Sequence, residues 1–504
     1  MTVSFDREFK TLQWHLMTWR LLRSLLVTGC LCTLGIVSTR ASVELDSSQC
    51  AFRLPLGYTL GSNARCGFVT VPENRRVSSQ RTLQLAVLVL QREPTPSQNA
   101  TVFLQGGPGG RTQEPLLGFA QPLLNALQAG GDLIFFDQRG TGYSRPTLAC
   151  PEVNRVQGAP GASRLELQPA YLASYTQCRQ RLEAAGVDLS AYTTKESALD
   201  VDAVRSALGY ERLNLHGVSY GSLLAQRVVR EVPSKVRSII LDAVVDPTQS
   251  WMAFADLYRV GALARLEAAC RADRGCTRVI PDFTATLTEL MKSLQQRLPT
   301  VQITGTSQTV TLNGEGTLDA VDTMLRGHLV ELVPYVLKQA VQGDYQNLAR
   351  LVALNIRNRE EIARGMYWSV SCAETVPVQA GIQALASPTE LQQYLFSFSS
   401  FAADQETCRI WNVPTDWTAL RVSRSDAPTL LLSGAFDPIT PNENAQRVAT
   451  RFPNARSVTF SSGGHGQISN PNPCVQNLLS AFLTDPSAVL DSSCSLAPLK
   501  FPYL

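Results

Sequence analysis

Within the 504-residue chain, Gly217-Val218-Ser219-Tyr220-Gly221 fits the pattern G-x-S-x-G. It falls between a run that reads as a strand, Leu213–Gly217, and one that reads as a helix, Tyr220–Glu231. In that context a sharp turn lifts a serine hydroxyl above a sheet edge. The two glycines let neighbouring backbone pass without a Cβ clash, and the positive end of the helix lies beside the hydroxyl. A serine hydroxyl is a weak nucleophile at neutral pH and needs a base. Of four histidines, His15 lies in the N-terminal segment, His216 precedes the turn on the strand and reads as packing, and His328 reads as a surface residue on a helix beside Arg326. His465 follows a strand within Ser461-Ser462-Gly463-Gly464-His465-Gly466, a loop in which an imidazole can swing over the sheet edge, and it is the expected base. A carboxylate must hold that ring in one tautomer. Asp437, in Gly434-Ala435-Phe436-Asp437-Pro438, completes the order Ser…Asp…His and is preferred over Asp246. Negative charge on an attacked carbonyl needs two backbone donors. The N–H of Tyr220 supplies one, and the loop Gly106-Gly107-Pro108-Gly109-Gly110 offers the other at Gly107.

These residues need a scaffold that brings strand ends together. Strand-like runs at Leu83–Leu90, Thr101–Gln105, Asp132–Phe136, Leu213–Gly217 and Val236–Leu241 alternate with helical patterns such as Ser197–Leu208. Such alternation implies an α/β protein, with a mainly parallel sheet and helices on both faces. After Asp246-Pro247 the pattern turns helical (Trp251–Ala269, Ala285–Leu298, Val333–Ile362), and strand patterns return only at Pro428–Ser433 and Ser457–Phe460. The expected organisation is an export signal over 1–41, a first core segment over 42–247, a large helical lid insertion over 248–420 and a second core segment over 421–504. With the order Ser…Asp…His, this is the pattern of the α/β-hydrolase fold.

Hydrophobic residues make up 44% of the chain and charged ones 17%, an ordinary globular composition. Outside residues 1–41 acids and bases balance, which gives no electrostatic reason to expect nucleic acid or an anionic surface as partner. Arg20 and Arg23 precede an apolar run, Ser24–Val37, and Thr39-Arg40-Ala41 offers a cleavage site, so the N-terminus reads as a signal peptide with Met1 or Met17 as start. The run is too short to span a bilayer, and no integral span is expected after processing. Val27-Thr28-Gly29-Cys30 resembles a lipobox, an alternative route to a lipid anchor at Cys30, although the apolar run continues past it. Beyond the signal, ten cysteines fall into neighbouring couples. In an oxidising compartment they could pair locally as 50–66, 150–178, 270–276, 372–408 and 474–494, though spacing alone leaves the connectivity open. No Cys/His cluster suggests a metal, and no cofactor is expected.

Together Gly106–Gly110, Asp137-Gln138-Arg139-Gly140-Thr141-Gly142-Tyr143-Ser144, Asp200–Gly209, His216–Gly221, Leu241–Pro247, Gly434–Pro438 and Gly464-His465 resemble the α/β-hydrolase peptidases of the proline iminopeptidase and tripeptidyl aminopeptidase family. The cysteine couple 474 and 494 looks like the tripeptidyl aminopeptidase branch. The resemblance covers the core and fades in the insertion. It implies peptide substrates and hydrolysis of an amide at a peptide's N-terminus through an acyl-enzyme, with a lid carboxylate reading the free amine. Glu374, in Ser371-Cys372-Ala373-Glu374, is the residue that this implication singles out. An esterase or other small-molecule acyl hydrolase is the alternative, because fold and triad do not fix the substrate. A binding protein without catalysis is disfavoured by the intact catalytic set.

Overall fold

The computed structural model describes residues 42–44, 50–78, 81–92, 98–156, 159, 161–358, 362–375, 387–399 and 401–501. The signal-peptide and lipobox segments lie outside them. Among the described residues nine strands form one sheet: β1 (Ser42–Glu44), β2 (Ala64–Pro72), β3 (Thr82–Leu90), β4 (Asn99–Leu104), β5 (Asp132–Phe136), β6 (Arg212–Val218), β7 (Val236–Asp242), and, after a long insertion that contains the hairpin β8–β9 (Thr300–Gln302, Thr309–Thr311), β10 (Thr429–Gly434) and β11 (Ala455–Phe460). Their spatial order is β1-β2-β3-β5-β4-β6-β7-β10-β11. The first three strands pair antiparallel, and from β5 to β11 every pairing is parallel.

Both faces of the sheet are covered, and the strand sequences show why. On β4, Ala100, Val102 and Leu104 enter one core while Phe103 enters the other; on β5, Ile134 and Phe136 oppose Leu133 and Phe135. Successive side chains on a strand point to opposite faces, so strands this uniformly apolar must be buried on both. The helices Arg164–Ala184, Thr194–Leu208 and Tyr220–Glu231 cover the first face, and Gln121–Leu127 with Pro473–Thr484 covers the second.

Among the described residues between β7 and β10 the elements are helices apart from β8–β9, and they fall into two parts. The helices Trp251–Ala272, Phe283–Arg297, Gly314–Arg326 and Val333–Val341 share a core of their own built on residues such as Leu263, Leu287, Met291, Leu318 and Leu337. The later helices Arg364–Glu374 and Phe401–Trp411 send Met366, Trp368, Val370 and Trp411 into the core of the sheet instead. There the indole of Trp411 donates to Ser369 Oγ at 2.9 Å. The single helix expected over Val333–Ile362 is two, Val333–Val341 and Gln346–Asn358, because Gly343 takes φ 89°, which a continuing helix cannot use. Sequence periodicity also passed over β2 and the long helix Arg164–Ala184, whose apolar residues do not form one clear stripe.

Among the described residues five disulfides join Cys50–Cys66, Cys150–Cys178, Cys270–Cys276, Cys372–Cys408 and Cys474–Cys494, the neighbouring couples of the sequence. Cys372–Cys408 ties the two helices that reach the sheet core. Replacing both cysteines with serine opens a loop closed across 36 residues and is expected to lower stability by about 2–4 kcal/mol. The readout is the denaturant midpoint. An unchanged midpoint would mean that packing of Trp368 and Trp411 alone holds these helices.

Candidate active site

Ser219 sits at the turn between β6 and the helix Tyr220–Glu231 with φ 58° and ψ −124°, a conformation that side-chain-bearing residues rarely adopt. The motif glycines make this turn sterically feasible. A Cβ on Gly217 would lie 2.1 Å from the carbonyl oxygen of Gly221, and one on Gly221 would lie 1.9 Å from that of Leu104. The Ser219 amide donates to the carbonyl of Asp242 at the end of β7 (2.9 Å).

His465 lies in the loop after β11, and its Nδ1 is 2.8 Å from Asp437 Oδ2. Asp437 is fully buried. Its Oδ1 accepts the amides of Ile439 (2.7 Å) and Thr440 (2.9 Å), and its Oδ2 accepts the Thr440 hydroxyl (2.7 Å), which is also 3.2 Å from His465 Nδ1. Burial alone would raise the Asp437 carboxyl. The neighbouring imidazole and the Thr440 bonds outweigh it and hold the group below its ordinary value, as a carboxylate. With Nδ1 turned to Asp437, Nε2 is the ring nitrogen left for other chemistry. Ser219, His465, Gly106 and Gly107 line one cavity of about 620 Å³. A Cβ on Gly466 would touch Val218 at 3.3 Å, which shows how closely the His465 loop packs on the strand that leads to Ser219.

The glycine-rich loop after β4 is held against Ser219. A Cβ on Gly106 would lie 2.9 Å from that of Ser219. The segment Asp137–Ser144 is what holds the loop. Asp137 accepts the amides of Thr112 and Tyr143 (both 2.8 Å), and Gln138 Nε2 donates to the Gln105 carbonyl at 2.8 Å. Arg139 is fully buried and binds Asp200 through two bonds of 2.7 and 2.8 Å. Gly142 leaves room for the Asp137 carboxyl, which a Cβ would meet at 2.1 Å. Tyr220 opens its helix, so its N–H has no partner within that helix.

The other sequence expectations find different places. Asp246 does not face His465: its carboxyl accepts from Arg447 and Arg451, each at 2.9 Å. His216 is buried against Phe103, and burial drives its pKa down to about 3. Glu374 is buried and is not among the residues that line the Ser219 cavity. Its carboxyl takes the amide and hydroxyl of Thr194, both at 2.5 Å, and the Thr194 hydroxyl is in turn 2.9 Å from that of Tyr220.

His328 is not a surface residue. It follows the helix Gly314–Arg326, is 8% exposed and takes φ 58°. Its Nδ1 accepts the amide of Gly464 at 2.9 Å, and its Nε2 is 2.9 Å from the carbonyl of Gly466. The sequence reading also missed Thr440 and Asp242. Asp242 is fully buried and accepts the amides of Gln467 (2.7 Å) and Ile468 (2.8 Å). Thr440 carried a readable sign, a hydroxyl three positions after the acid in Asp437-Pro438-Ile439-Thr440.

Residues 100–469 match the family model described as alpha/beta hydrolase fold, and the chain belongs to that family. Among characterised sequences it is 25% identical to the serine protease Hip1 of Mycobacterium tuberculosis, over 93% of this chain and 95% of that protein. It is 25% identical to the putative hydrolase YuaR of Escherichia coli, over 85% of this chain and 87% of that one. It is 24% identical to a tripeptidyl aminopeptidase of Streptomyces lividans, over 92% and 88%.

Glu374 yields a signed pH prediction. Burial raises its carboxyl to about 7, against the opposing effect of the Thr194 bonds. A folded-state pKa above the unfolded value of about 4.3 means that the protonated group stabilises the fold at low pH, and that this contribution is lost as pH rises through about 7. Glu374→Gln should therefore melt higher than the unmodified protein at pH 8 and equally at pH 4. Melting curves that run parallel across this range would refute the buried neutral acid.

Proposed function

We propose that this α/β hydrolase is an exported serine peptidase that removes residues or short peptides from peptide N-termini. The observation that carries the acyl-transfer chemistry is the placement of Ser219, His465 and the Gly106–Gly107 backbone around one cavity, with Asp437 bonded to the far side of the imidazole. In this reading Ser219 Oγ attacks the carbonyl carbon while His465 Nε2 takes its proton. The N–H groups of Tyr220 and Gly107 receive the developing oxyanion. The tetrahedral adduct collapses as His465 returns the proton to the leaving amine. Water, deprotonated by the same imidazole, then releases the acyl group. Peptide substrates are favoured by the names of two relatives, serine protease and tripeptidyl aminopeptidase, which align along nearly the whole chain. Five bridged cysteine couples suit folding in an oxidising compartment. No described helix is long and apolar enough to cross a membrane.

One observation favours a second reading. Among the described residues that line the cavity there is no carboxylate; the ionisable groups are Arg111 and His465, and the walls include Phe103, Phe119, Leu123 and Val475. Among those described residues a free amine finds no anionic partner, whereas the acyl group of a neutral ester would fit the apolar walls.

A screen of the mature protein with a Ser219→Ala control separates the two. The panel holds fluorogenic single-residue, proline and tripeptide amides with free or acetylated N-termini, together with short-chain esters. Cleavage of free-amine peptides, lost on acetylation and at least ~10³-fold weaker in the control, is the expected result. Ester turnover without amide cleavage would replace the peptidase reading with the esterase one.

A further inference from the structure

The insertion reaches the His465 loop through Leu325, Arg326 and His328. The His465 amide donates to the carbonyl of Arg326 at 3.1 Å. Gly464 lies so close beneath Leu325 that a Cβ would come within 1.9 Å of the Leu325 oxygen. The His328 ring closes the contact on both sides of His465, accepting from the Gly464 amide through Nδ1 and meeting the Gly466 carbonyl through Nε2, each at 2.9 Å. A backbone amide can only donate and a carbonyl can only accept, so these two bonds fix the tautomer: Nδ1 is bare and Nε2 carries the proton.

We propose that His328 is a positioning residue for His465, a neutral clip that holds the peptide on either side of the proposed base and opens when it is protonated. The inference rests on the reading of His465 as base for Ser219. Protonation puts a hydrogen on Nδ1, where it would face the N–H of Gly464 donor to donor. That repulsion breaks one bond of the clip and leaves a buried amide unpaired, a cost that falls on the loop carrying His465. The ionisable groups that face the ring are His465 and Asp437, and on its own element Arg326, which lies 3.9 Å from Asp322. Burial and the neighbouring His465 ring favour the neutral form, outweighing the Gly466 carbonyl, the Asp437 carboxylate and the His465 backbone, so its pKa lies below the ordinary value. Activity thus depends on two histidines being neutral at once, one doing the chemistry and one placing it.

The test is the rate at which a fluorophosphonate labels Ser219, measured from pH 4.5 to 8.5 on the mature protein, His328→Ala and His328→Gln. A glutamine side chain offers one acceptor and one donor at the spacing of the ring nitrogens, but it does not titrate. At pH 8, His328→Ala is expected to label at least ~tenfold more slowly and His328→Gln within ~threefold of the unmodified rate. On the acid side the unmodified protein should lose rate with a logarithmic slope steeper by about 1 than that of His328→Gln, which lacks the titrating ring. Labelling of His328→Ala at the unmodified rate overturns the proposal, as does a His328→Gln profile as steep as that of the unmodified protein. If His328→Ala does not fold, the slope of His328→Gln decides alone. An unmodified protein that is not labelled at all removes the Ser219 reading, and this one with it.

Discussion

Asp242 joins two loops that would otherwise be held only by their own strands. Its backbone carbonyl takes the amide of Ser219, and its carboxyl takes the amides of Gln467 and Ile468, two and three residues beyond His465. The elbow ends β6 and the base loop follows β11, with β7 and β10 between them in the sheet. A residue at the tip of β7 is therefore well placed to reach both. Burial raises this carboxyl to about 6, against the lowering effect of the two amides. The group is still mainly ionised at neutral pH, and charge-assisted bonds of this kind are about twice as strong as neutral ones. Ser219 needs such support because its φ of 58° is strained. The strain persists only while surrounding backbone leaves the turn no alternative.

The same logic makes the insertion part of the site rather than a cover over it. It touches the two glycine-rich loops at separate points. Ala363 donates to the carbonyl of Gly109 at 2.9 Å, and Ile362 pairs with Gly110 as an isolated bridge. At the other end, Leu325–His328 grips Gly464–Gly466. Each backbone bond is worth only about 1 kcal/mol net, but a buried amide or carbonyl left unpaired costs about 1–3 kcal/mol. The glycines on the core side have no side chains with which to satisfy or shield their own backbone. Residues from the insertion do that for them, so removing it would loosen both the loop that contains Gly107 and the loop that carries His465.

What could be read from the sequence followed physical range. Strands β4, β5, β6 and β10 were legible because both faces are buried, so their apolar runs stand out against the turns that end them. Ser219, Asp437 and His465 were legible because each follows a strand in a local pattern that only a special turn explains. His328 was not legible. Its partners, Gly464 and Gly466, lie 136 and 138 residues away, and nothing beside Arg326 and Gly327 announces a buried ring. Glu374 was singled out by resemblance, and the fold places it behind Tyr220, tied to Thr194, rather than in the cavity. The helical character of the elements between β7 and β10 was legible, but their division was not. Helical periodicity marks an apolar face without saying whether a neighbouring helix or the sheet will cover it.

The segment Asp137–Ser144 shows why a sharp family motif can still leave the substrate open. Asp137 binds two amides, Gln138 the Gln105 carbonyl and Arg139 the buried Asp200, while the Ser144 hydroxyl donates to the Asp137 carbonyl at 2.6 Å. These bonds hold the segment and reach the chain on either side of the glycines through Gln105 and Thr112, and no residue of Asp137–Ser144 lines the cavity. A motif of this kind reports on how the loop Gly106–Gly110 is held, not on what binds beside it. The walls that would choose between substrates come from elsewhere, among them Phe103, Phe119, Ile362, Ile468 and Val475. They are apolar contacts, in which one methylene more or less changes discrimination only by about 1–3 kcal/mol. Many sequences could build such walls, so the residues that set the chemistry are sharply patterned while those that set the preference are not.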